Sequence, residues 1–154
     1  MRILIQNKQK KYPVNERQIR QWMTRILEMQ GEASAEVGIV FVNNRTIRKY
    51  NREYRGRDKP TDVLSFPMRE GDQIGDAALL GDLMISLEKA DEEAPLFNQS
   101  FSEHLLFLII HGILHLLGYD HEVSQREEAR MKRREKKIFY DLGFGKKIVP
   151  TASP

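Results

Sequence analysis

His111-Gly-Ile-Leu-His115-Leu-Leu-Gly118-Tyr-Asp-His121 (HGILHLLGYDH, residues 111–121) holds three of the four histidines in the chain. Residues four apart share one face of a helix, with Cβ atoms about 5–6 Å apart, so His111 and His115 can grip one ion. A helix continued to His121 would turn roughly 120° away from His115 and carry His121 about 9 Å further along the axis. Gly118 resolves this, because glycine readily takes the left-handed conformation that ends a helix and lets the chain turn back. The segment therefore reads as two ligands on a helix, a glycine hinge and a third ligand on the returning loop.

The surroundings strengthen that reading. Leu105–Leu117 (LLFLIIHGILHLL) is apolar except for its two histidines, as expected of a buried core helix. A buried imidazole without a partner costs on the order of 1–3 kcal/mol, and a shared metal supplies the partner. Three neutral imidazoles leave a fourth position open, which is the catalytic pattern for zinc, although nickel, copper or iron also bind such nitrogens. His104 shares the face of His111 two turns earlier and is expected to support the site or pack in the core. Asp120, beside His121, is a candidate for a supporting contact. The spacing HxxxHxxGxxH is that of metzincin proteases, in which the residue after the first histidine is the glutamate general base. Here that residue is Gly112, so either another acid takes its place or the substrate is not a peptide.

Outward from this helix, the pattern predicts an α+β domain. Arg2–Gln6 and Glu36–Val42 read as strands, separated by a helix capped by Asn15 with the apolar stripe Ile19, Trp22, Met23, Ile26 and Leu27. Asn43 or Asn44 opens a second helix, with Ile47, Tyr50 and Tyr54 on its face and Gly56 at its end. Pro60 forces an extended entry into a strand at Asp62–Phe66. A glycine- and aspartate-rich loop at Met68–Ala78 leads to a strand at Gly81–Ser86, and a short helix then ends at Pro95. Ser100 with Glu103 forms a capping box for the histidine helix, and Ser124 with Glu127 forms another for a last helix to about Leu142. The expectation is one domain over residues 1–145 with a small mixed sheet of about four strands, surrounding helices and a zincin-like metal-binding helix. Residues 146–154 read as a loosely held tail.

Composition narrows the function classes. The chain has 154 residues, 40% hydrophobic and 31% charged, with no cysteine, so a metal site must use His, Asp or Glu. No apolar run is long enough to span a bilayer, and MRILIQNKQKKY is too short in apolar residues for a signal peptide, so a cytoplasmic protein is expected. The net charge is only +3, but it is unevenly placed. Seven basic residues between Arg45 and Lys59 face only Glu53 and Asp58, and nine between Arg126 and Lys147 face four acidic ones. Such a polarised surface suits a polyanion. Arg48, Arg52, Arg57 and Lys59 are candidates to track its backbone, and Asp82, in a glycine turn before a strand, is a candidate neighbour of the site.

With these residues in view, the sequence resembles the YbeY endoribonuclease family. HGILHLLGYDH matches the histidine motif of that family, with His111, His115 and His121 at its ligand positions. NREYRGRDKPTDVLSF (residues 51–66) and LGDLMIS (residues 80–86) resemble its other two motifs. The resemblance implies a mixed sheet with surrounding helices, zinc on the three histidines and cleavage of single-stranded RNA. It further implies roles in 3′-end maturation of small-subunit ribosomal RNA and in ribosome quality control, with small-subunit components and the Era GTPase as partners. An arginine in the second motif is important for activity in the family, and Arg55 matches it. Its chemistry fits, since a guanidinium can fork onto two phosphate oxygens. Two rival readings stand beside this one: a metal-dependent hydrolase of another substrate, such as a peptide or small amide, and a non-enzymatic RNA-binding assembly factor with a stabilising zinc.

Overall fold

The computed structural model describes residues 2–69, 78–120 and 122–144, with Phe144 described in its backbone only. Eleven elements run in the order β1 (Arg2–Asn7), α1 (Glu16–Met29), β2 (Glu36–Val42), α2 (Asn44–Arg55), β3 (Val63–Pro67), β4 (Leu79–Ser86), α3 (Leu87–Glu93), a 3₁₀ turn (Ala94–Phe97), α4 (Phe101–Leu116), α5 (Gln125–Phe139) and a closing π-type turn (Tyr140–Phe144). The strands form one sheet in the order β1-β2-β4-β3. β1 and β4 both pair with β2 in parallel, and β3 pairs with β4 antiparallel, so the sheet is mixed as expected. Among the described residues β3 is an edge strand.

Local chemistry sets the boundaries. Asn15, Asn43, Ser86, Ser100 and Ser124 each accept a hydrogen bond from a backbone N–H in the first turn of the helix that follows. Ser100 and Glu103 form the full capping box. The second expected box is only half made: Ser124 Oγ accepts from Glu127 N, but the Glu127 carboxylate pairs with Arg130 at 3.1 Å. Pro95 does not stop the chain outright. It sits in the first turn of the 3₁₀ segment, where its missing N–H costs nothing. Most of the expected 68–78 loop, and the 146–154 tail, lie outside the described residues.

The sheet is covered fully on one face and partly on the other. On one, α1, α4 and α5 cover a core that includes Met23, Ile26, Phe41, Leu83, Ile85, Leu106, Ile110 and Phe139. On the other, α2 covers a smaller cluster of Val42, Ile47, Leu64 and Met84. None of the described helices is long and apolar enough to cross a membrane.

α4 lies so close to the sheet that Gly112 has no room for a side chain. A Cβ there would stand 2.8 and 3.1 Å from the Leu83 methyls and 3.4 Å from Val63 Cγ2. Ser65 Oγ, on β3, donates to the Gly112 carbonyl at 3.4 Å across the same contact. Gly112 is thus a packing requirement, and a glutamate at this position would drive its carboxylate into the apolar contact between helix and sheet. Replacing glycine by alanine inside a helix gains about 1 kcal/mol of propensity, whereas overpacking a full core costs about 1–3 kcal/mol. Gly112→Ala is therefore expected to lose on the order of 1 kcal/mol and Gly112→Glu several times more, both read from the urea midpoint. An alanine variant more stable than wild type would contradict this packing.

Candidate active-site cleft

Tertiary structure brings the C-terminal end of α2, strand β3, the second half of α4 and one face of α5 around one cleft of about 820 Å³. Its lining includes Arg55 and Arg57, the strand residues Val63–Pro67, His111 and His115, and Asp120, Lys132, Glu135 and Lys136. Because β3 residues facing both sides of the sheet line it, the cleft runs along the edge of that strand.

His111 and His115 converge. Their Nε2 atoms are 3.2 Å apart and their ring centroids 4.7 Å apart. Two imidazole nitrogens bound to one tetrahedral ion at about 2.0–2.1 Å would stand about 3.3 Å apart, so the spacing suits a shared ion. Glu135, on α5, places Oε2 2.6 Å from Nδ1 of His111. That contact favours the tautomer with its proton on Nδ1, leaving the Nε2 lone pair turned toward His115. α4 ends at Leu116 with Leu117 as its C-cap, and Gly118 follows with φ +97°, the left-handed turn that the hinge reading required. Gly118 N donates to His115 O and Tyr119 N to Leu114 O, which satisfies the last carbonyls of the helix. His121, the third expected ligand, lies outside the described residues. Among the described residues no cluster of three or more His, Asp or Glu is set to hold a metal.

The other candidates fall in different places. Arg55, the last residue of α2, is exposed and lines the cleft, as does Arg57. Arg48 is turned to Asp58 in a two-pronged contact at 2.9 and 3.3 Å, with Arg52 3.7 Å from the same carboxylate. The hydrogen bond from Arg48 keeps the Asp58 carboxyl below its ordinary value. Neither Arg48, Arg52 nor Lys59 lines the cleft. Asp82 departs most from expectation: it is exposed on β4 opposite Gly38, one residue out of step with Leu83, which packs under α4. Its side chain therefore faces away from the histidines. Asp120 does line the cleft, and its Oδ1 accepts from Glu122 N at 2.9 Å.

His104 is fully buried in a row of rings, stacked on Phe97 at 4.9 Å and near Phe107 at 5.9 Å. Its Nδ1 lies 2.9 Å from Gln99 Oε1 and its Nε2 3.6 Å from Glu93 Oε1, too long for a hydrogen bond but within ion-pair reach. Glu93 in turn interacts with Asp62, which lines the cleft. The Asp62 residue is half-buried, but its carboxyl is crowded by protein. Burial, with the Glu93 carboxylate beside it, pushes Asp62 up to about 6. Burial alone would raise Glu93 too, yet His104 and Asp62 hold it below the usual range. As the pH falls, Asp62 is therefore the member of the pair that takes up a proton first.

Sequence reading missed Glu135, Asp62, Lys132 and Lys136. A glutamate in a basic helix gives no sign that it will meet a histidine 24 positions away. A signal for Asn51 was present but unread: an amide on the inner face of α2, now buried, its Nδ2 donating to Lys59 O at 2.8 Å. That bond, with Gly56 in the left-handed region (φ +69°), folds the loop back so that β3 starts beside Arg55.

Fold and cleft together define a single-domain α+β protein whose HxxxH helix lies across a mixed sheet, next to its edge strand. A profile of the family described as Endoribonuclease YbeY matches residues 4–143. The chain belongs to that family. A protein of Geobacter metallireducens named Endoribonuclease YbeY is 42% identical over 142 residues, covering 90% of this chain and 94% of the relative. One of the same name from Bacillus cereus (strain G9842) is 43% identical over 139 residues, covering 83% and 86%. The solution structure of TM1509 from Thermotoga maritima is similar with a TM-score of 0.62 and 28% identity, covering 98% of this chain and 99% of that one.

The raised Asp62 carboxyl makes a pH prediction. Its folded-state value lies above the ordinary 3.8, so the folded state holds this proton more tightly and the ionised form costs stability as pH rises through about 6. Asp62→Asn keeps a donor toward Glu93 and removes that cost. Relative to wild type it should gain on the order of 1–3 kcal/mol between about pH 4 and pH 7 in urea titrations. An equal difference at both pH values would refute the assignment.

Proposed function

We propose that this protein is a zinc-dependent endoribonuclease that cuts single-stranded RNA. The observation that carries the reading is the convergence of His111 and His115 in the cleft that also holds Arg55 and Arg57, in a chain of the YbeY family. His111, His115 and His121 would hold the zinc, with Glu135 orienting His111. The ion would supply Lewis acidity at the scissile phosphate and lower the pKa of water there. Arg55 places its guanidinium on the non-bridging oxygens, where paired N–H donors stabilise the charge that builds in the transition state. Arg57, Lys132 and Lys136 attract the flanking phosphates. The proposed role, by resemblance to the family, is 3′-end maturation of small-subunit ribosomal RNA and ribosome quality control in the cytoplasm, with small-subunit components and Era as partners.

One rival has a structural observation in its favour. Among the described residues the edge of β3 beside the histidines carries no further strand, which would also suit an extended peptide added there. Assays of one preparation on unstructured RNA and on a peptide library separate the two.

Elemental analysis of the purified protein, paired with RNA cleavage before and after chelation, tests the central reading. His115→Ala should lose both bound zinc and cleavage; a variant that cuts normally without metal would sink the mechanism. Arg55→Ala should keep its zinc and lose on the order of 100-fold in kcat. Unchanged turnover would remove Arg55 from the chemistry. A rigorously repurified wild type that binds RNA and zinc but never cuts would leave an assembly factor.

A further inference from the structure

We propose that Tyr54 is a stacking platform for one unpaired nucleobase, next to the phosphate held by Arg55. The proposal rests on the RNA reading above and adds a residue that selects for single strands. The apolar face of α2 starts in the core and runs off it: Ile47 is fully buried, Tyr50 is half-buried and Tyr54 is 65% exposed. Tyr54 is therefore not a core residue, although its helical spacing alone would put it there.

The ring is exposed but braced. Phe66 meets it edge-on at 5.2 Å and 75°, and Tyr50 lies parallel to it at 6.0 Å and 6°. Two aromatic neighbours fix its plane before any ligand arrives, so little ordering is lost on binding. Tyr54 and Phe66 both line the cleft that holds His111 and His115. Phe66 packs with the α2-side cluster, whereas Val63 and Ser65, on the other face of β3, reach α4. A strand of RNA crossing the edge of β3 thus meets a flat ring on one side and the histidines on the other.

Chemistry selects the occupant. A flat apolar face next to two arginines, Arg55 and Arg57, calls for a ligand that is flat and anionic at once, as a nucleotide is. Bases in a duplex already have both faces covered, so only an unpaired base can stack here.

The test is binding of a short unstructured fluorescein-labelled RNA, followed by anisotropy, with wild type, Tyr54→Ala, Tyr54→Phe and Tyr54→Trp. Alanine should weaken binding roughly tenfold, while Phe and Trp stay within about twofold of wild type. A series of RNAs carrying one abasic site each should contain a position that weakens wild type by a similar factor and leaves the alanine variant unaffected. Alanine binding as tightly as wild type, or no position whose base matters more to wild type than to the variant, would overturn the platform. The abasic series on wild type needs no variant to fold. The two levels fail separately: wild type that neither binds nor cuts RNA sinks the RNA reading, whereas wild type that cuts RNA with Tyr54 irrelevant sinks only this inference.

Discussion

The close approach of α4 to β3 and β4 at Gly112 is the contact on which the rest of the molecule depends. A side chain there would press on the Leu83 methyls and touch Val63, so either Leu83 repacks or the helix stands off. Standing off would lift His111 and His115 away from the edge of β3 and from the arginine at the end of α2. Glycine lets the backbone itself touch the sheet, and dispersion contacts across that seam reward the fit. The residue that reads in sequence as a missing protease base is, in the fold, the reason the two histidines sit where they do.

Around that seam, buried polar groups are held in pairs. Glu135 meets His111, and Gln99 and Glu93 flank His104, with Asp62 hydrogen-bonded to Glu93. Such groups are costly alone in an apolar interior, and the neighbouring charge or hydrogen bond offsets part of that cost. α5 delivers one member of these pairs, and its own position is set elsewhere. Arg134 binds Met29 O at the end of α1, and Arg130 lies over the Tyr119 ring at 4.2 Å. The orientation of His111 is therefore tied to the packing of α1 through α5.

Much of the fold was legible because its signals are local. Asn15, Asn43 and Ser100 cap the helices they precede in sequence, and the alternation or apolar density of β1, β2 and β4 marks strands directly. Gly118 was readable for the same reason: a hinge is a backbone property of one residue. Where that reading went astray, a competing charge or the strand register decided the side chain's place. Glu127 left its capping role for Arg130, and Asp82, three residues before Ile85, turned to the face opposite the histidines because of strand alternation and register. Arg48 and Arg52, basic residues suited to a polyanion, are taken up by Asp58 across a turn.

By itself, then, the sequence determined the element order, the helix that carries His111 and His115 on one face, and the turn after it. These follow from period, caps and single-residue backbone preference, all of which act within a few positions. Only tertiary structure decided that Glu135 would orient His111, that Arg55 and Arg57 but not Arg48 would line the cleft, and that Tyr54 would stay in solvent. Those outcomes depend on how far a helix face extends past the sheet edge and on which charges meet across it. Such distances are set by packing between elements, and no residue states them alone.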